Sequence, residues 1–276
     1  MNKKNRSIKE LKDRKKSLFT STISADKNGD LHILDKKLID LVQENSFSFI
    51  VGSMFLGRNL RSKKTEEFID LVLKLLVDHG PYVSGAVNTM ISARAGKDLV
   101  SSLAAGLLTI GNRFGGAING AAEVWFDGAN NDQSPRKLVE DYAKAKKYIP
   151  GIGHRKYRID LPDPRVKVIR EQSSKLKNNK YLDFALKIEK ITTSKKSNLI
   201  LNVDGCIGAV LLDLLVSEEK LDGAQVRKLI ETEFFNSLFV LARSVGFIAH
   251  FLDQKRLNEP LFRLEPKDVL YARQNE

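Results

Sequence analysis

Apolar residues recur at a helical period along nearly the whole chain, and no other feature constrains its fold as strongly. From Thr65 to His79, Phe68, Leu71, Val72, Leu75 and Leu76 share one face, and Gly80–Pro81 closes the segment. Ser134–Pro135 and Asp163–Pro164 each set a capping side chain before a proline at the first helical position. Lys97–Ile110 reads as a helix whose small residues, Ser101, Ser102, Ala104, Ala105 and Gly106, permit close packing. Asn236–Leu252 reads as another long helix in spite of Gly246. Strand signals are few, with Leu199–Val203 the best and Leu31–Leu34 a weaker one. Linker-like stretches near 128–134 and 174–180 read as loops within one architecture, and no repeat of 20–50 residues is present. The pattern predicts an all-α protein.

Composition narrows the class. At 276 residues the chain can bury a substantial core, and 42% hydrophobic residues exclude a disordered one. A single cysteine, Cys206, rules out an intrachain disulfide and offers no metal-ligand spacing, which fits a reducing, cytoplasmic setting without a metal. No apolar run approaches the roughly 20 residues of a membrane helix, so no membrane partner is expected. The N-terminal charges precede no apolar stretch, and Glu10 and Asp13 interrupt them, which argues against a secretory signal or a transit peptide. Half of the net charge of +12 sits in residues 1–16, where eight basic residues face two acidic ones. Residues 1–18 are therefore expected to be a basic arm, either a solvated tail or a docking arm for an acidic partner. Aromatic residues do not interleave with these charges as a stacking platform requires, which argues against nucleic acid.

Four short elements carry candidate chemistry. In Gly151-Ile152-Gly153-His154-Arg155, two glycines let the backbone approach a ligand, and free amides there can hold an anion. Arg165 lies one loop downstream and can return to the same pocket. Asp204, in Asn202-Val203-Asp204-Gly205, emerges from an apolar segment at a turn. It is either a capping aspartate or a shielded acid–base group with a raised pKa. Arg243 interrupts an apolar helix and calls for either a salt bridge or an anionic ligand.

Longer blocks occur in order: Asp78-His79-Gly80-Pro81, Ala93–Ser102, Gly106–Gly111, Arg113–Ala117, Gly151–Arg155, Glu189–Lys196, Asn198–Gly205 and Asp253–Leu257. In these blocks the chain resembles the C-terminal citryl-CoA lyase module of ATP-citrate lyase and the stand-alone citryl-CoA lyases, within the citrate synthase superfamily. The likeness runs from about Phe19 to the end. The ATP-using half of ATP-citrate lyase has no counterpart in the chain, which favours a separate lyase subunit.

The resemblance implies an all-α, citrate synthase-like fold over residues 19–276, with a large and a small lobe (the small one roughly 113–235). The active site would lie in the cleft and at a dimer interface. The implied reaction is cleavage of citryl-CoA to acetyl-CoA and oxaloacetate, with coenzyme A present as the substrate thioester. His154 matches the histidine facing the hydroxyl oxygen and would accept its proton, while Asp204 matches the carboxylate that protonates the acetyl carbon. His79, Arg165 and Arg243 match residues holding the four-carbon part, and Arg263 matches an arginine lent by the neighbouring protomer. Gly151, Ile152, Gly153, Lys195 and Lys196 fall where the family meets CoA. A homodimer or higher homo-oligomer is implied, with a citryl-CoA synthetase as a further partner.

The sequence departs from the family at the thioester oxygen. Phe114 replaces the histidine of citrate synthases, as it does in ATP-citrate lyases, and Val87 replaces the histidine that those lyases carry in a Ser-Gly-Ala-His-Asn motif. The enolate would then need Asn88, Ser84 or a backbone amide as donor. The alternatives are a citrate or methylcitrate synthase and a catalytically weak partner subunit of a larger lyase.

Overall fold

The computed structural model describes residues 19–111 and 115–272, so the basic arm and Phe114 lie outside the described residues. The chain divides between Leu60 and Arg61 into two compact units. The first holds an antiparallel meander, β1 (Ser24–Lys27), β2 (Asp30–Ile33) and β3 (Lys36–Lys37), followed by helices α1 (Leu38–Glu44) and α2 (Phe47–Leu56). The strand expected at Leu31–Leu34 is β2. Its hairpin turns on Asn28–Gly29, both at positive φ, between the paired residues Lys27 and Asp30.

The second unit is helical. It comprises α3 (Lys63–Leu76), α4 (Ser84–Arg94), α5 (Leu99–Leu107), α6 (Ala117–Asn130), α7 (Pro135–Lys144), α8 (Pro164–Ser173), α9 (Lys180–Lys195), α10 (Val203–Ser217), α11 (Gly223–Glu231) and α12 (Phe234–Arg256). Capping follows the sequence: Ser134 accepts from the Lys137 amide, Asp163 from Arg165 and Asp98 from Ser101. The small residues of α5 do let helices close up. A β-carbon on Gly106 would lie 2.1 Å from Thr89 Oγ1 of α4.

Helix α10 runs through the core and is buried without a break from Gly205 to Leu215. It packs against α3, α6, α8 and α9, which explains why it is apolar on every side. Helix α12 packs against α3, α4, α5 and α6. One sequence expectation needs correction. Leu199–Val203 is not a strand: Leu201 makes a single antiparallel bridge to Ile152, Asn202 caps α10, and Val203 opens it. The apolar run reflects burial, with Ile200 and Leu201 both in the core, and a buried segment of that length has no period to separate strand from loop. Helix α12 is long and apolar enough to cross a membrane by length and composition alone, a test that a buried core helix also passes, and 44% of its apolar window is buried within the fold.

Candidate active site

The loop Gly151–His154 is fastened to the segment that leads into α10. Gly153 N donates to Ile200 O (2.7 Å), His154 N to Asn198 O (3.0 Å) and Asn202 N to Gly151 O (2.9 Å). Two amide side chains close the seam, Asn202 Nδ2 donating to Gly153 O (3.0 Å) and Asn198 Nδ2 to His154 O (3.1 Å). Glycine is required at the crossing: Gly151 has φ +81°, and a β-carbon there would lie 2.6 Å from Gly205 Cα. Trp125 Nε1 donates to Gly205 O at 3.1 Å and braces the same point. A histidine and an aspartate fifty residues apart are thereby set on one surface.

The state of His154 follows from its hydrogen bonds. Its Nδ1 accepts from the backbone amides of both Lys156 and Tyr157, each at 3.0 Å. An acceptor Nδ1 leaves the neutral ring its proton on Nε2, so the free edge of the imidazole is a donor. Burial lowers its pKa below the ordinary histidine value, with Arg165 and Lys156 adding to the effect and Asp163 opposing it.

Asp204 stands in the first turn of α10, half-buried, and no donor among the described residues bonds its carboxylate. Burial pushes its pKa up to about 6, against the pull of Arg165 and Arg243. Arg165 is gripped by Asp163, which is 1% exposed: Nε donates to Oδ1 (3.1 Å) and Nη2 to Oδ2 (2.8 Å). That grip leaves Nη1 for a ligand. Asp163 was legible as a helix cap, but its second function appears only when Arg165 folds back onto it.

Arg243 is 3% exposed, and its Nε and Nη1 have no hydrogen-bond partner among the described residues. The guanidinium lies 4.9 Å from the centre of the Phe239 ring. Burial lowers its pKa, while Asp78 and Asp204 work the other way. His79 is half-buried beside this group. Burial is the first cause of its lowered pKa, followed by the charges of Arg243, Arg165 and His154. The structure therefore gathers five expected residues, His79, His154, Arg165, Asp204 and Arg243, into one cluster in which the charges act on one another.

Lys195 ends α9, Lys196 is its C-cap, and both are exposed just before Asn198 of the seam. Arg263 is exposed on the segment after α12. Ser84, Val87 and Asn88 lie in the first turns of α4, Val87 half-buried and the other two exposed. No group of three or more His, Cys, Asp or Glu side chains among the described residues is placed to hold a metal.

Comparison with known proteins bears on the family and the fold. The family described as citrate synthase, C-terminal domain, matches residues 43–265. The chain is 46% identical over 259 residues to the probable ATP-citrate synthase subunit 1 of Neurospora crassa, covering 94% of this chain and 39% of that protein. It is 41% identical over 261 residues to the ATP-citrate synthase of Mus musculus, covering 94% of this chain and 24% of that one. The chain thus spans about two fifths, or less, of the length of these relatives. Among solved structures, ATP citrate lyase from Methanothrix soehngenii in complex with citrate and coenzyme A superimposes with a TM-score of 0.89 at 38% identity, over 97% of this chain and 44% of that one. Citryl-CoA lyase from Hydrogenobacter thermophilus superimposes with a TM-score of 0.79 at 27% identity, over 94% and 96% of the two chains.

Proposed function

This chain belongs to the citrate synthase family, and from that premise we propose that it cleaves citryl-CoA to acetyl-CoA and oxaloacetate. The observation that carries the proposal is Arg243, a buried guanidinium with two unpaired donors beside His79, Arg165, His154 and Asp204. Such a group needs an anion, and a substrate bearing several carboxylates supplies one. The Methanothrix enzyme was solved with citrate and coenzyme A, which supports the same chemistry here.

In this reading Arg243, Nη1 of Arg165 and His79 hold the carboxylates of the four-carbon half. The Nε2–H of His154 donates to the substrate's hydroxyl oxygen and stabilises the alkoxide formed as that oxygen loses its proton, before the charge passes to the acetyl half when the carbon–carbon bond breaks. This revises the expectation that the ring takes the hydroxyl proton: with Nδ1 bonded to two amides and Nε2 protonated, it has no free lone pair. The hydroxyl proton then passes to water. Asp204, with a pKa near 6, delivers a proton to the carbon that becomes the methyl group of acetyl-CoA. The glycines of the 151–153 loop, with Lys195 and Lys196, meet the CoA moiety.

Val87 favours a second reading, a catalytically weak partner subunit, because valine cannot donate a hydrogen bond to the enolate oxygen. Arg263 would enter the site from a second copy of the chain. The deciding experiment is a turnover assay with citryl-CoA that follows oxaloacetate release. Release at rates abolished by His154→Ala supports the lyase, whereas binding of CoA and citrate without turnover supports the partner subunit.

A further inference from the structure

Helix α12 presents Arg243, Gly246 and His250 at spacings of three and four, which places them on one stripe. Gly246 and His250 each have a distinct contact on the turn that carries His79. Gly246 lets that turn come in: a β-carbon there would lie 2.3 Å from Val77 O and 3.0 Å from Asp78 Oδ1. His250 Nε2 then pairs with Asp78 Oδ1 at 3.1 Å. The other carboxylate oxygen of Asp78 accepts from Gly80 N at 3.0 Å, and Gly80 itself sits at φ +91°. Asp78 therefore closes a tight turn around His79 from inside while His250 holds it from the helix. Arg243, two turns earlier on that helix, acts on the His79 ring electrostatically.

We propose that His250 is a positioning residue: through Asp78 it clips the 77–80 turn to α12 and so sets His79 against Arg243 where the four-carbon half of the substrate binds. The ligand named rests on the function proposed above; the clip does not. Asp78 is ionised, held below the usual carboxylate range by the amides of Gly80 and His79 and by His250 once its own burial is overcome. It is thus the acceptor, and His250 carries the proton on Nε2. Glutamine can place an amide donor where Nε2 stands and keep the clip, whereas leucine cannot.

The test reads His79 directly. Side-chain nitrogen resonances of the histidines are followed through a pH titration, with His79→Gln used for assignment. The charges facing His79 are Arg243, Arg165 and His154, opposed by Asp78. In His250→Leu the released turn carries His79 out of its burial and out of that field, and its pKa rises toward the ordinary histidine value, while His250→Gln leaves it in place. Citrate affinity falls by about 10- to 100-fold in the leucine variant, the usual cost of a misplaced positioning group, and CoA affinity is unchanged. If His250→Leu does not fold, His250→Ala, which also removes the donor to Asp78, is measured for the same displacement. A folded His250→Leu protein with wild-type His79 titration overturns the clip, as does a glutamine variant that behaves like leucine. A displaced His79 in a protein whose wild type binds neither citrate nor CoA overturns the functional reading and leaves the clip standing.

Discussion

Replacing Arg243 with methionine separates a structural arginine from one built for a ligand, because the two make opposite predictions for the empty protein. Methionine keeps the unbranched stem and packing of the side chain and removes the guanidinium. In the wild type, Nε and Nη1 are buried without partners, and each such donor costs about 1–3 kcal/mol. Against this stand the contact with Phe239, worth roughly 0.5–2 kcal/mol, and the attraction of Asp78 and Asp204. Two such donors cost about 4 kcal/mol together at mid-range, and after the ring contact and the carboxylate attraction are subtracted Arg243→Met is more stable than wild type by about 1–3 kcal/mol without ligand. At roughly 2–4 °C per kcal/mol for a chain of this size, the melting temperature rises by several degrees. With citrate the order reverses, since losing one side of a buried charge pair costs about 2–5 kcal/mol, or roughly 30-fold to a few thousand-fold in affinity. Differential scanning calorimetry with and without citrate, followed by calorimetric titration, reads both quantities. A variant less stable than wild type in the absence of ligand refutes the argument, because the guanidinium would then be holding the fold together.

Three further outcomes can be measured on the same protein. Asp204→Asn lowers turnover by at least about 10²-fold. Because the folded-state pKa of Asp204 lies above its unfolded value, wild-type stability falls as pH rises from about 4 to 6, and the asparagine variant escapes that loss of at most about 3 kcal/mol; parallel stability–pH curves for the two proteins would disprove the raised pKa. Val87→His raises the rate of the chemical step by at most about 10²–10³-fold, the worth of one oxyanion donor, and an unchanged rate in a well-folded variant means another donor already serves. Arg263→Ala and His154→Ala proteins, each inactive alone, regain part of the activity on co-assembly, and verified mixed dimers without recovery rule out a shared site.

What could be read from the sequence was what local physics controls. The helical period placed α3, α5 and α12 to within a few residues, and the Ser–Pro and Asp–Pro pairs marked the starts of α7 and α8, because capping and amphipathicity act over one or two turns. The glycine–histidine loop, Asp204 and Arg243 were visible as residues of the wrong polarity, or in the wrong company, for a passive role. Tertiary structure decided everything that depends on which distant groups share a surface. The run Leu199–Val203 became a seam rather than a strand because its partner is the 151–154 loop. Asp163 became the grip on Arg165, and His250 the clip on Asp78, across 172 residues of chain. The proton on His154 Nε2 was equally out of reach, since it is set by two backbone amides whose direction depends on the folded turn. Spacing along a chain fixes the neighbours within a helix, but the long-range contacts that determine pKa, tautomer and unmet hydrogen-bonding capacity exist only once the helices have packed.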